Sequence, residues 1–276
     1  MPELPEVELV ARSLNQLVSS RTIVVAELLR ERLAPENPPE DFAAKLKDAT
    51  INFVHRRGKH VLFDLHNGRT LITHLRMTGR FMLLPLEREL PKFAHAVFYL
   101  EDEMRLVFQD QRHFGMMKIV ETARLHETKE IKKLAPEPFS DEFDLKYFRA
   151  VLKTSKRSLK EFLLDQTKVL GLGNIYVSEA LFLAKINPQI PADRLSAAKA
   201  AVLFEKIREI LHESMSHGST LNVDPENIDG SYYDGGFQNR WRVYDRENEN
   251  CVDCRTPIAR LKQGGRSSYF CPQCQK

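Results

Sequence analysis

All four cysteines of this 276-residue chain fall within its last 26 residues, as Cys251-Val-Asp-Cys254 and Cys271-Pro-Gln-Cys274, with sixteen residues between the pairs. That spacing suits a four-thiolate zinc ribbon. Each C-x-x-C turn presents two sulfurs to one ion, and two such turns close a tetrahedron with no position left for water. One structural Zn2+ is therefore expected. Binding worth about 10–16 kcal/mol folds a segment too short to build a core of its own. Two disulfides or a redox pair are the rivals at this spacing, and thiolate ligation fits a reducing, cytoplasmic setting.

The length predicts at least two domains, and a hydrophobic content of 42% is ample for their cores. No apolar run approaches the ~18 residues of a membrane span, and no basic-apolar leader is visible, so a soluble, unexported protein without a membrane partner is expected. The net charge of +3 says little about partners. Residues 251–276 say more: Arg255, Arg260, Lys262, Arg266 and Lys276 face a single acid, Asp253. Such a patch favours a polyanion.

Hydrophobic periodicity changes along the chain. Val7, Val10, Ala11, Leu14 and Leu17 form a helical stripe over residues 5–17. Strand patterns follow at Thr22–Ala26, Ile51–Arg57, His60–Leu65, Thr70–Leu75, His95–Leu100 and Met104–Phe108, with Gly58 and Asn67-Gly68 as turns. The first half reads as a β-sandwich or barrel behind a leading helix. Leu134–Asp141 is proline-punctuated and reads as a linker. Helical spacing then appears at Phe143–Leu152, Ser155–Gln166, Asn174–Ala184 and Ser196–His217. Residues 218–236 lack periodicity and read as a long loop, of a length that is usually functional. The expected boundaries are a sandwich over 1–134, a linker over 135–141, a helical domain over 142–237 and a zinc finger over 238–276.

The amino terminus, Met1-Pro2-Glu3-Leu4-Pro5-Glu6, carries the chemistry. Removal of Met1 leaves Pro2 as a free secondary amine, and an α-amino group with a pKa of about 8 is partly deprotonated at neutral pH and nucleophilic. Its adduct with a sugar carbon becomes a cationic iminium, an electron sink. Glu3 and Glu6 stand nearby as proton-transfer groups. Ordinary helix punctuation is the bland alternative.

Two further clusters suggest nucleic acid. Gly171-Leu-Gly173-Asn174, with Asn174 as N-cap, offers free N–H groups to a phosphate, and Lys153, Lys156, Arg157 and Lys160 add cations at helical spacing. Arg112 and Phe114, at a loop tip after a strand, and Met77, after another, are candidate wedges for a base stack. Unstacking costs about a few kcal/mol per step. Each cluster, taken alone, also has a structural reading as solvated face or core.

In order, Met-Pro-Glu-Leu-Pro-Glu-Val-Glu8, Arg56-Arg57-Gly58-Lys59, His74-Leu-Arg-Met77-Thr-Gly79, Arg112-His-Phe114-Gly115, Gly171-x-Gly173-Asn174-Ile-Tyr-Val-Ser-Glu179 and Tyr244 precede the cysteines. Together they closely resemble the bacterial formamidopyrimidine-DNA glycosylase family, base-excision enzymes for oxidised purines. The resemblance spans nearly the whole chain. It implies an α+β fold: a two-layered β-sandwich with a leading helix, then a helix–two-turns–helix domain with a zinc ribbon. It implies a monomeric glycosylase and AP lyase acting on duplex DNA that contains an oxidised base. Pro2 is then the Schiff-base nucleophile, Glu3 the general acid/base and Glu6 a support for the terminus. Lys59 is assigned to β-elimination and Arg266 to δ-elimination, both with phosphate contacts. His74, Lys160, Asn174 and Tyr244 match DNA-backbone contacts, Lys156 of the cationic stripe is a further DNA-binding candidate, and Met77, Arg112 and Phe114 match the side chains that fill the void left by the everted base. Residues 218–236 correspond to the lesion-capping loop.

Leu9, Phe93, His217 and Asp245 depart from the family pattern. Phe93 stands where relatives often place a DNA-contacting histidine, and His217 and Asp245 replace glycines. A non-catalytic damage-binding protein, an oxidised-pyrimidine glycosylase of the same superfamily and a zinc-ribbon regulator are the competing functions.

Overall fold

The computed structural model describes residues 2–220, 226 and 235–276, arranged as two compact units. The first holds Pro2, residues 6–132, Thr220, Glu226 and Gly235; the second holds Glu3–Pro5, residues 133–219 and residues 236–276. Most of the expected capping loop, and Met1, lie outside the described residues.

In the first unit the leading helix α1 spans Leu4–Val18, and its stripe of Val7, Val10, Ala11, Leu14 and Val18 is buried. Eight antiparallel strands follow: β1 (Thr22–Leu28), β2 (Ala49–Arg57), β3 (His60–Leu65), β4 (Arg69–His74), β5 (Gly79–Pro85), β6 (Ala94–Leu100), β7 (Met104–Asp110) and β8 (Met116–Glu121). A short helix α2 (Pro39–Leu46) sits between β1 and β2. The strand order is β5-β7-β6-β1-β2-β3-β4-β8. Only Thr22↔Thr50 and Ile23↔Ala49 pair β1 with β2. That narrow seam lets the sheet fold into two four-stranded layers, and a single core draws on strands of both. Phe63 of β3 meets Phe81 of β5 at 5.3 Å between ring centroids, and Phe81 meets Phe108 of β7 at 5.2 Å.

The second unit contains α3 (Leu145–Leu152), α4 (Leu159–Leu163), α5 (Asn174–Leu183), α6 (Ala197–Ser216) and a terminal hairpin of β9 (Ala259–Gln263) and β10 (Arg266–Phe270). Side chains of Asp144, Ser158 and Ser196 accept hydrogen bonds from the first turns of α3, α4 and α6. Eight of the ten residues of α5 are buried, so it is the central element of its unit. Arg208 of α6 donates to the carbonyls of Pro138, Ser140 and Phe143, which ties residues 138–143 to this unit.

The α+β class holds. The helix expected over Ser155–Gln166 is shorter, because Ser158 caps it at its start and it stops after Leu163. Strands β5 and β8 and helix α2 went unread. In β5, Phe81 and Leu83 enter the main core while Met82 and Leu84 enter a smaller one on the opposite face, so no alternation marks the strand. Among the described residues no helix is long and apolar enough to cross a membrane.

Leu14 is completely buried in the first core. Leu14→Ala is expected to lower the unfolding free energy by about 2–5 kcal/mol, measured by urea denaturation. A loss below about 1 kcal/mol would contradict this placement of α1.

Candidate nucleic-acid and catalytic site

Within the second unit, Glu3 is 2% exposed, and its carboxylate accepts hydrogen bonds from the backbone N–H groups of Gly173 (2.5 Å), Ile175 (3.0 Å) and Tyr176 (3.4 Å). These are the orphan donors at the start of α5, where the helix dipole favours an anion. A Cβ at Gly173 would lie 2.3 Å from the Glu3 carboxyl carbon, and one at Gly171 2.4 Å from a Leu4 methyl. The Leu4 N–H also donates to the Gly171 carbonyl at 3.0 Å. The glycine turn therefore receives the chain's own amino-terminal segment. This corrects the expectation that its N–H groups stand free for a phosphate. Asn174 is the first helical residue rather than the N-cap, which is Gly173; its side-chain amide donates to the Ser267 carbonyl at 3.0 Å.

Lys160 is another correction. Lys153, Lys156 and Arg157 are exposed, but Lys160 does not join them: its side chain is 0% exposed and its Nζ donates to the Asn174 carbonyl (3.1 Å) and Ser178 Oγ (2.8 Å). A side chain so enclosed braces α5. Burial pushes its pKa down to about 7, with Glu3 nearby opposing the shift and the Arg266 guanidinium adding to it. Lys153 donates to the Asp193 carbonyl and Arg157 pairs with Asp165 at 2.6 Å, while Lys156 is exposed.

Arg266 is exposed where β10 leaves the hairpin turn. The turn is Gly264-Gly265, at φ of +52° and +76°, between the paired residues Gln263 and Arg266. Two successive positive φ angles define the tight hairpin turn that glycine alone adopts freely. Tyr244 packs edge-on against Trp241 and Tyr269, at 4.9 and 5.3 Å between centroids. Its backbone is set by Glu179, a fully buried carboxylate that accepts from the N–H groups of Arg242, Val243 and Tyr244, each at 2.9 Å. Asp245 has φ of +57°, backbone that glycine adopts most freely, and its carboxylate accepts the Tyr269 hydroxyl at 3.1 Å.

In the same unit the four sulfurs all lie within 4.8 Å of one another, with Cys251–Cys274 at 4.0 Å and Cys254–Cys271 at 3.5 Å. Zn–S bonds of about 2.3 Å in a tetrahedron place sulfurs about 3.8 Å apart. The cysteines are unbridged, so the disulfide alternative falls and a single Zn2+ fits the set.

In the first unit, Pro2 is buried. Glu6 is 0% exposed and accepts from the Thr220 N–H (3.2 Å) and hydroxyl (2.9 Å). Gly58, at φ +57°, and Lys59 form the β2–β3 turn, and Lys59 is buried beside His60 and His74. The two imidazoles meet edge-on at 4.8 Å. Burial chiefly, then the charges of His60, Arg76 and Lys59, pushes His74 down to about 2; burial likewise pushes His60 down to about 4. His74 Nδ1 accepts the Arg76 N–H at 3.0 Å, so its proton resides on Nε2 and the ring is a neutral donor.

Met77 is half-buried, Arg112 exposed and Phe114 53% exposed, with the Arg112 guanidinium 5.3 Å from the Phe114 ring centroid. A Cβ at Gly79 or Gly115 would lie 2.7 or 2.8 Å from the Phe108 ring, so both glycines let their loops close on it. Phe93, at φ +67°, packs edge-on against His113. Asp110, Thr78 and Glu179, which organise these segments, carried no signal beyond a carboxylate or hydroxyl inside an apolar pattern.

The chain matches the family models of the formamidopyrimidine-DNA glycosylase N-terminal domain over residues 1–117, the formamidopyrimidine-DNA glycosylase H2TH domain over 134–224, and the zinc finger found in FPG and IleRS over 248–276. It is 40% identical over 276 residues to a formamidopyrimidine-DNA glycosylase of Listeria innocua, with 100% of both chains covered. It is 37% identical over 278 residues to that of Lactiplantibacillus plantarum, again with 100% of each covered. Among solved structures it superposes on Lactococcus lactis Fpg in complex with abasic-site DNA at a TM-score of 0.91 and 34% identity, covering 99% of each chain. With the same organism's Fpg bound to FAPY-dG DNA the TM-score is 0.92 at 34% identity, covering 99% of this chain and 100% of the other. Full-length similarity of this order, over a chain with Pro2 and Glu3 at its start and four converging thiols at its end, makes this protein a member of the formamidopyrimidine-DNA glycosylase family.

Proposed function

We propose that the protein is a bifunctional DNA glycosylase and AP lyase that removes oxidised purines, 8-oxoguanine and formamidopyrimidines, from duplex DNA. The observation that carries the proposal is the Glu3 carboxylate, fixed by three backbone N–H groups immediately after the residue that becomes the terminal imine. The relatives bound to abasic-site and FAPY-dG DNA support the substrate class.

Pro2 nitrogen attacks C1′ of the damaged nucleotide, the glycosidic bond breaks, and Glu3 handles the protons exchanged between base and sugar. The sugar ring then opens at C1′–O4′, with a proton delivered to O4′, and leaves C1′ as an iminium; this acidifies the neighbouring sugar protons, so the 3′- and then the 5′-phosphate leave by elimination and the strand is cleaved on both sides of the lesion. Lys59 serves β-elimination and Arg266 δ-elimination, and each cation also meets a phosphate. Glu6 acts through its hydrogen bonds to Thr220 as a positioning residue for the terminal helix. His74 donates to a phosphate as a neutral imidazole, Lys156 and Tyr244 follow the backbone, and Asn174 orders the hairpin that carries Arg266. Met77, Arg112 and Phe114 fill the space vacated by the everted base. Bound zinc folds the terminal hairpin and adds no catalytic step. The protein works as a monomer in the bacterial cytoplasm on the nucleoid, where four unbridged thiols are at home.

Borohydride reduction during reaction with an 8-oxoguanine duplex is expected to trap a covalent complex with the Met1-processed protein and none with Pro2→Gly. Undiminished trapping in the variant would move the nucleophile elsewhere, to Lys59 first. Native mass spectrometry is expected to find one zinc per chain. Its removal by a chelator should weaken binding to lesion duplex at least about tenfold, since the hairpin is metal-folded. Full affinity in the zinc-free protein would contradict that role.

A further inference from the structure

Asp110 ends β7 with its side chain fully buried, and its carboxylate accepts hydrogen bonds from two loops. Oδ1 accepts the Thr78 hydroxyl, and the Arg112 N–H at 3.2 Å; Oδ2 accepts the Gly115 N–H at 2.6 Å. Thr78 completes the link, because its Oγ1 also accepts the Arg112 N–H at 3.0 Å. The Asp110 carbonyl takes the His113 N–H at 3.3 Å, and its own N–H donates to the Phe93 carbonyl at 3.1 Å. One carboxyl group therefore joins the segment that carries Met77 to the segment that carries Arg112 and Phe114. Arg76 and His113, in those same segments, adopt left-handed backbone with φ of +56° and +60°, conformations that stand only when their surroundings over-determine them.

We propose that Asp110 is a positioning residue that locks the Met77 and Arg112–Phe114 loops at one fixed separation, so that they enter the base stack as a single preformed wedge. This rests on the wedge role given above to Met77, Arg112 and Phe114. The lock acts before DNA arrives: the loops pay no ordering entropy on insertion, and the energy of backbone contacts goes into unstacking the base. Each Asp110 oxygen is committed to a donor. An amide at this position turns one acceptor into an NH2 group facing either the Gly115 N–H or the Thr78–Arg112 pair.

The test compares Asp110→Asn, Thr78→Val, Thr78→Ser and Phe114→Ala in single-turnover assays on two duplexes, one with 8-oxoguanine and one with a preformed abasic site. A 2-aminopurine beside the lesion reports unstacking, and thermal unfolding monitors the fold. Asp110→Asn and Thr78→Val are expected to slow base excision and the 2-aminopurine signal at least about tenfold, the worth of one hydrogen bond to a charged group. Cleavage at the abasic site, which has no base to unstack, should change less than about threefold, and Thr78→Ser should stay near the parent in both assays. Thr78→Val carries the test if Asp110→Asn fails to fold. If Phe114→Ala is slow while Asp110→Asn and Thr78→Val match the parent, the lock is refuted and the wedge stands. If both reactions fall together in the Asp110 and Thr78 variants, the contribution is to general stability and the proposal fails. If Phe114→Ala excises at the parent rate, the wedge role itself is wrong and the lock falls with it.

Discussion

A carboxylate held at the beginning of a buried helix is the constraint on which the rest turns. Glu3 has lost its water and gained three backbone N–H groups of the α5 terminus. Removing an ionised carboxylate from water without such partners costs far more than a domain's net stability. Hydrogen bonds to a charged group return about 1.5–3 kcal/mol each, and the helix dipole adds to them. The consequence is positional. The residue before Glu3 cannot wander, because its neighbour is fixed on both oxygens and Leu4 is bonded to Gly171. A chain terminus is normally the least ordered part of a protein; here Glu3 and Leu4 are both bonded to the segment that begins α5.

The same solution recurs. Glu179 gathers three N–H groups ahead of Tyr244, and Asp110 gathers two N–H groups and a hydroxyl at the candidate wedge. In each case a buried acceptor with no competing water selects one loop conformation, which apolar packing alone does less sharply. These loops thus gain definition from carboxylates rather than from regular structure. Lys160, caged under the first turn of α5, extends the theme with the opposite sign.

The sequence made the class of fold legible because its signals are local. The α1 stripe, the His60–Leu65 strand and the long α6 helix follow from the spacing of apolar side chains, and the cysteine spacing alone anticipated the geometry of the sulfurs. Strand β5 was not legible, since burial on both faces erases alternation. At the candidate site, residue types were readable but their employment was not. Gly171 and Gly173 invited a phosphate reading because nothing in the sequence says that Glu3, 170 residues earlier, occupies the same N–H groups. Lys160 looked like one of four surface cations, and only the cap at Ser158 shows that the helix begins too late to align them. Asp110 resembled any acid at a strand end. Each of these depends on a tertiary partner.

Gly173→Ala tests the central claim most directly. At φ of −129° alanine is compatible with the backbone, so its effect comes from a Cβ that would lie 2.3 Å from the Glu3 carboxyl carbon. Single-turnover excision of 8-oxoguanine by the processed, zinc-loaded variant is the quantity to measure, with zinc content and lesion-duplex affinity as controls. The account predicts at least about a hundredfold slower excision with both controls preserved, the scale of general acid–base catalysis. Excision at the parental rate would show that the carboxylate need not rest on α5 and would contradict the account.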